Sequence, residues 1–117
     1  MSNLDLYGIP NCDTVKKART WLESHGLQYT FHDYKKEGAD PAKLTRWIAA
    51  AGLDVVVNRK GTTFRKLTAA QQADAADSHK AVALLVQQPS VIKRPILEHP
   101  GGVLVGFKED EWRVLLG

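Results

Sequence analysis

Over residues 4–34 the hydrophobic period changes from two, to between three and four, and back to two, which leaves the chain few folds to choose from. Leu4, Leu6 and Gly8 alternate with Asp5 and Tyr7, the pattern of a short strand ending at Gly8. Over residues 14–25, Val15, Ala18, Trp21 and Leu22 mark one helical face, Lys16, Lys17, Arg19, Thr20 and Glu23 lie elsewhere, and Gly26 is the natural stop. Leu27, Tyr29 and Phe31 then alternate with Gln28, Thr30 and His32, giving a second strand that ends near Asp33 or Tyr34. Strand, helix, strand implies two parallel strands in one sheet joined by a right-handed crossover, with the helix packed on the sheet.

The middle of the chain reads as helical. After Lys35-Lys36-Glu37-Gly38, Asp40 is a cap and Pro41 a first helical residue, followed by an apolar stripe of Leu44, Trp47, Ile48 and Ala51 and a stop at Gly52. Residues 54–58 are open between strand and helical turn, because Val55-Val56-Val57 suits either. Thr68-Ala69-Ala70-Gln71 has the spacing of a capping box, and a further helix over residues 79–88 has Val82, Leu85 and Val86 inward before Pro89 stops it. Glu98-His99-Pro100-Gly101-Gly102 is a turn that joins Ile96-Leu97 to Val103-Leu104-Val105 in an antiparallel hairpin. A terminal helix follows, with Glu109, Asp110 and Glu111 in its positive first turn and Trp112, Leu115 and Leu116 inward.

A chain of 117 residues without repeats or linkers is the size of one domain with its own hydrophobic core. The expected organisation is a single domain over residues 1–117, with a core of 1–36 and 89–117 and a mainly helical insertion over 37–88. One cysteine excludes an internal disulfide, and neither a charged start followed by an apolar run nor a long apolar stretch is present. A soluble, cytoplasmic monomer without a membrane partner is expected. Lys and Arg exceed Asp and Glu by 16 to 13, a mild formal charge of +3. The run Asn58-Arg59-Lys60-Gly61-Thr62-Thr63-Phe64-Arg65-Lys66 holds four cations and no acid. It ranks as a solvated loop first and a small-anion site second. Nucleic acid, which needs a broader basic face, is a distant third, and no nucleic-acid partner is expected.

Cys12 lies in Gly8-Ile9-Pro10-Asn11-Cys12-Asp13-Thr14, beyond the carboxyl end of the first strand and at the start of the first helix. Open α/β sheets bind their ligands at that edge. Backbone N–H groups at a helix start are unpaired and carry positive partial charge, so a sulfur placed there is favoured as thiolate. The structural alternative is a buried cysteine acting as a small hydrophobe. Pro10, Asn11, Asp13 and Thr14 are turn and cap formers, poor neighbours for a core position, and they favour the reactive reading. The Thr14 hydroxyl either donates to the sulfur or serves as a second cap, and Asn11 either steadies the loop or touches substrate. His25, His32, His79 and His99 have no metal-ligand spacing with one another or with Cys12, so no metal site is expected. Trp21, Trp47 and Trp112 fall on apolar helical stripes and read as core.

Strand, helix, strand, helical excursion, hairpin and closing helix is the order of an α/β thioredoxin-like fold: a small mixed sheet with a helical insertion between the second strand and the C-terminal hairpin. Residues 8–18, Asn58-Arg59-Lys60-Gly61, Ile92-Lys93-Arg94-Pro95-Ile96 and Val105-Gly106-Phe107 resemble the ArsC/Spx family of arsenate-reductase-related proteins, in its YffB-like branch. The resemblance runs over essentially the whole chain. It implies that Cys12 is the nucleophile, that Arg59 and Arg94 match arginines that hold an oxyanion, and that Pro95 matches a proline that is cis in thioredoxin-like folds. A cis proline there would let the Arg94 backbone pair with a peptide-like thiol such as glutathione. Two positions depart from the arsenate reductases: Gly8 stands where they carry a histidine, and Phe107 where they carry a third arginine. Val15 replaces the second cysteine frequent in Spx regulators, so any disulfide must form with an external partner.

The expected function is therefore that of a glutathione-dependent, monothiol thiol–disulfide oxidoreductase. It would bind no cofactor, take glutathione as co-substrate and act on a small thiol or disulfide. Arsenate reduction with glutathione and glutaredoxin is the enzymatic alternative. A regulatory module of the Spx kind, docking on transcription machinery, is the alternative of another class.

Overall fold

The computed structural model describes residues 4–116. In chain order the elements are β1 (Asp5–Gly8), α1 (Asp13–Ser24), β2 (Thr30–Asp33), α2 (Tyr34–Glu37), α3 (Pro41–Ala51), α4 (Leu53–Val56) and α5 (Thr62–Arg65). They continue with α6 (Ala69–Asp74), α7 (Ser78–Gln87), a 3-10 turn (Pro89–Val91), β3 (Ile96–His99), β4 (Gly102–Val105) and α8 (Glu109–Leu116). The chain divides into two compact units, one made by the residues up to Tyr34 and from Arg94 onward, the other by Lys35–Lys93.

The first unit is a four-stranded mixed sheet in the order β2-β1-β3-β4, with β1 and β2 parallel and the other pairs antiparallel. Its register aligns Phe31, Leu6, Leu97 and Leu104 in one row across all four strands. Because side chains of one register row share a face, this row makes an apolar stripe. Ala18, Trp21 and Leu22 of α1 and Trp112 of α8 join Leu6, Leu97 and Leu104 in a single buried cluster. The opposite face carries a polar ladder: the Tyr7 hydroxyl donates to Glu98 at 2.7 Å, His32 Nε2 lies 2.9 Å from Asp5, and the Tyr7 and His32 rings stack at 4.6 Å.

Helix α1 ends where the sequence predicts, with Gly26 in the left-handed region at φ +68°. The Leu27 N–H returns to the Leu22 carbonyl at 3.0 Å, which keeps residues 27–29 out of the sheet and shortens β2 to Thr30–Asp33. The hairpin is present, but pairing continues through His99 and Gly102, so the turn is shorter than Glu98-to-Gly102. In α8 the expected stripe is corrected: Trp112 is fully buried and Leu116 partly, whereas Leu115 is exposed. The Trp112 indole donates to the Gly106 carbonyl at 3.2 Å, and that bond fixes the rotation of the helix.

The second unit is helical. Asp40 caps α3 by accepting from Ala42 N–H at 2.9 Å with Pro41 in the first turn, and Thr68 and Gln71 form the reciprocal capping box of α6. Residues 54–58 resolve in both directions: α4 takes the first three, and Val57 makes an isolated bridge to Ile92. Helix α7 packs on α3 and α6 through Ala81, Leu84 and Leu85. The expected inward set was Val82, Leu85 and Val86, and Val86 is in fact exposed. Asp77 accepts from the N–H groups of His79 and Lys80 and so starts the helix at Ser78; the small Ala81 then sits at the helix contact. Residues 62–65, read as loop, form the single turn α5. No helix of the described residues is long and apolar enough to cross a membrane.

Candidate active site at the carboxyl edge of the central strand

β1 has neighbours on both sides, and three segments meet beyond its carboxyl end. The chain leaves β1 at Gly8 and turns at residues 9–12, closed by Cys12 N–H donating to the Ile9 carbonyl at 3.2 Å. The Cys12 carbonyl then accepts the first helical bond from Lys16 N–H at 2.9 Å, and its backbone is extended (φ −95°, ψ 127°), which makes Cys12 the cap residue of α1. The turn is tight because α1 lies hard against the strand end. A Cβ added at Gly8 would stand 2.8 Å from Val15 Cγ2, and Val15 is fully buried.

The pairs Gly8 with Asp33 and Tyr7 with Ile96 place Tyr34, just past β2, and Arg94, two residues before β3, at this same edge. Burial pushes the Cys12 thiol up. The Val15 N–H, a hydrogen bond from the Arg94 side chain, the Thr14 N–H and the Arg94 charge together outweigh that effect and hold its pKa below the ordinary thiol value. Burial drives the Tyr34 phenol strongly upward in spite of Arg94. Arg94 is pushed down by burial but raised overall by Tyr34 and Cys12, to both of which its side chain is hydrogen-bonded. Tyr34 is a neutral phenol around neutral pH, so Cys12, with its lowered pKa, is the member of the trio able to supply an anion.

Of the residues singled out from sequence, Cys12, Arg94 and Thr14 share this geometry. Thr14 acts on the sulfur through its backbone N–H. Asn11 is exposed in the turn, and Pro95 is buried behind a cis Arg94–Pro95 bond, its carbonyl accepting from Gly106 N–H at 2.7 Å. Arg59 belongs to the second unit, where it is paired with Asp54 at 2.9 Å and donates to the Ala75 carbonyl at 3.4 Å. Phe107 packs edge-on against Trp112 at 4.8 Å and Trp21 at 6.4 Å, and so serves the core. Sequence reasoning missed Tyr34. The signal was available, since a parallel β2 must deliver the residue after Asp33 beside the Cys12 turn. Among the described residues no three His, Cys, Asp or Glu side chains group to hold a metal ion.

Comparison with known proteins bears on the family and the fold. The YFFB (PA3664) protein has a solved structure that is 55% identical, with a TM-score of 0.92 over 97% of this chain and 99% of that one. An arsenate reductase (ArsC) related protein from Brucella melitensis is 49% identical, with a TM-score of 0.75 over 97% of this chain and 93% of its own. The global transcriptional regulator Spx of Listeria innocua is 30% identical over 113 residues, which is 95% of this chain and 85% of the regulator. The ArsC family model matches residues 7–115, from within β1 into α8, and the chain belongs to the ArsC family.

Proposed function

We propose that this protein is a glutathione-dependent thiol–disulfide oxidoreductase that works through the single thiol of Cys12. The observation that carries the reading is the placement of Cys12 as the cap of α1 at the edge to which the β1–β3 register brings Arg94, a setting that lowers the thiol pKa. The thiolate attacks one sulfur of a disulfide; a bond forms between Cys12 and that sulfur, the original S–S bond breaks, and the other sulfur leaves as a thiolate that takes a proton from water. With Val15 in place of a second cysteine the chain cannot resolve the mixed disulfide itself. A glutathione thiolate attacks it instead, forming the new S–S bond and releasing Cys12 as thiolate. One half of the substrate leaves as a thiol and the captured sulfur leaves as a mixed disulfide with glutathione; where the captured sulfur is itself that of glutathione, the substrate is reduced to its thiol and glutathione disulfide is the oxidised product. Arg94 stabilises the Cys12 anion both at the start and at its release, while Thr14 contributes its N–H.

Arsenate reduction ranks below this reading. Phe107 is engaged in the aromatic core, Gly8 has no room for a side chain against Val15, and Arg59 is paired with Asp54. Treatment with glutathione disulfide followed by intact-mass measurement tests the proposal. One glutathione should add to the wild-type protein and leave with excess glutathione, and none should add to Cys12→Ser, which should also lose all turnover. No adduct on the wild type, or turnover that survives Cys12→Ser, sinks it.

The relationship to the Listeria innocua regulator favours a second reading, a module that docks on transcription machinery. Retention of RNA polymerase subunits by both the wild type and Cys12→Ser in a pull-down would move the function to that class. No retention leaves the enzyme reading in place.

A further inference from the structure

Tyr34 is 2% exposed, directly follows β2 and takes no part in the reaction sequence above. It enters the site from the β2 side of β1, whereas Arg94 enters from the β3 side and Cys12 from the turn between them. The Arg94 side chain is hydrogen-bonded to both others. A guanidinium is planar, with its donors in a rigid fork, so fixing one edge on a buried oxygen fixes where the remaining N–H groups point. We propose that Tyr34 is a positioning residue: its phenol oxygen accepts from Arg94 and aims the guanidinium at the Cys12 sulfur. The assignment rests on the reading of Cys12 as nucleophile and adds the element that regulates its reactivity.

The choice of a phenol has a physical reason. A carboxylate in this place would hold Arg94 equally well, but its negative charge would raise the thiol and cancel the gain. A buried phenol stays protonated, orients the arginine as a neutral acceptor and leaves the positive charge to act on sulfur. Asp33 also acts on Tyr34, and Asp13, next to Cys12 in the chain, is an exposed carboxylate in the first turn of α1. When Cys12 is tied up as a neutral disulfide, Tyr34 keeps Arg94 aimed at the position where the thiolate reappears on resolution.

The test is the pH dependence of Cys12 alkylation by iodoacetamide, without glutathione, for wild type, Tyr34→Phe, Arg94→Ala and the double variant. In Tyr34→Phe the midpoint should rise and the rate on the acid limb fall about three- to tenfold, the size of one hydrogen bond, with an unchanged alkaline plateau. Arg94→Ala should shift the midpoint further, and adding Tyr34→Phe to it should change nothing more. A Tyr34→Phe profile that superimposes on wild type, or the same shift in the Arg94→Ala background, overturns the proposal. A measurement on the unmutated side chain guards against misfolding of the variant. The Tyr34 Cζ carbon resonance should move at the Cys12 midpoint in wild type and lose that inflection in Arg94→Ala; its absence in wild type is equally fatal. If the profiles behave as expected while no glutathione adduct forms, the oxidoreductase reading fails and the Tyr34 assignment stands.

Discussion

Cys12 gains its character from groups that carry no side-chain signature in the sequence. The backbone N–H groups of Val15 and Thr14 act on the sulfur, short of a formed capping hydrogen bond, because residue 12 is the cap of α1, and any residue types could supply them. Arg94 is the part that resemblance made visible, while Tyr34 was overlooked because a tyrosine after a strand reads as the end of its alternation, and only the parallel placement of β2 marks it. The lowered thiol pKa has a consequence for stability. In the window between the folded value and the ordinary one, the unfolded chain still holds the proton that the folded protein has lost, so stability rises with pH across that window. The contribution is complete above the ordinary thiol value and disappears as pH falls through the folded one. Urea unfolding of wild type and Cys12→Ser in reducing buffer, over a pH series, should therefore give a difference that grows with pH through the window and then levels; a flat difference contradicts the assignment of the thiolate.

Among the elements, those whose hydrophobic period is strong were legible, and those fixed by a single contact were not. β1, α1, α3 and the hairpin follow from alternation, helical stripes and caps. The start of β2 did not, because it depends on the Leu27 N–H returning to Leu22. The inward faces of α7 and α8 are rotated from the expected ones, since Asp77 and the Trp112 indole decide where those helices sit, and neither effect weighs in a count of apolar residues. The contact between β1 and α1 is the one on which the site depends. Gly8→Ala should force Val15 aside and cost about 1–3 kcal/mol, read as a lower urea midpoint. Combining it with Val15→Ala should cost less than the sum of the two single changes, because the second removes the group that the first collides with. Strict additivity would show that the strand end and the helix yield independently.

At the scale of the molecule, the order of elements along the chain was enough to give the mixed sheet. What order alone did not give is which cation serves which partner. Arg59 and Arg94 look alike as motif residues, yet Asp54, five positions upstream of Arg59, holds the first, and the second is drawn to the thiol. The central place of β1 in the sheet carries one more consequence. Cys12 lies near the start of the chain and Arg94 near its end, and they meet only when β3 has paired beside β1. Until that long-range pairing forms, residue 12 has at most the help of its own helix start and lacks the activation that Arg94 supplies. The nascent or damaged chain is thereby less prone to thiol exchange during the interval when it is least able to control it, and full chemical competence arrives together with the finished sheet.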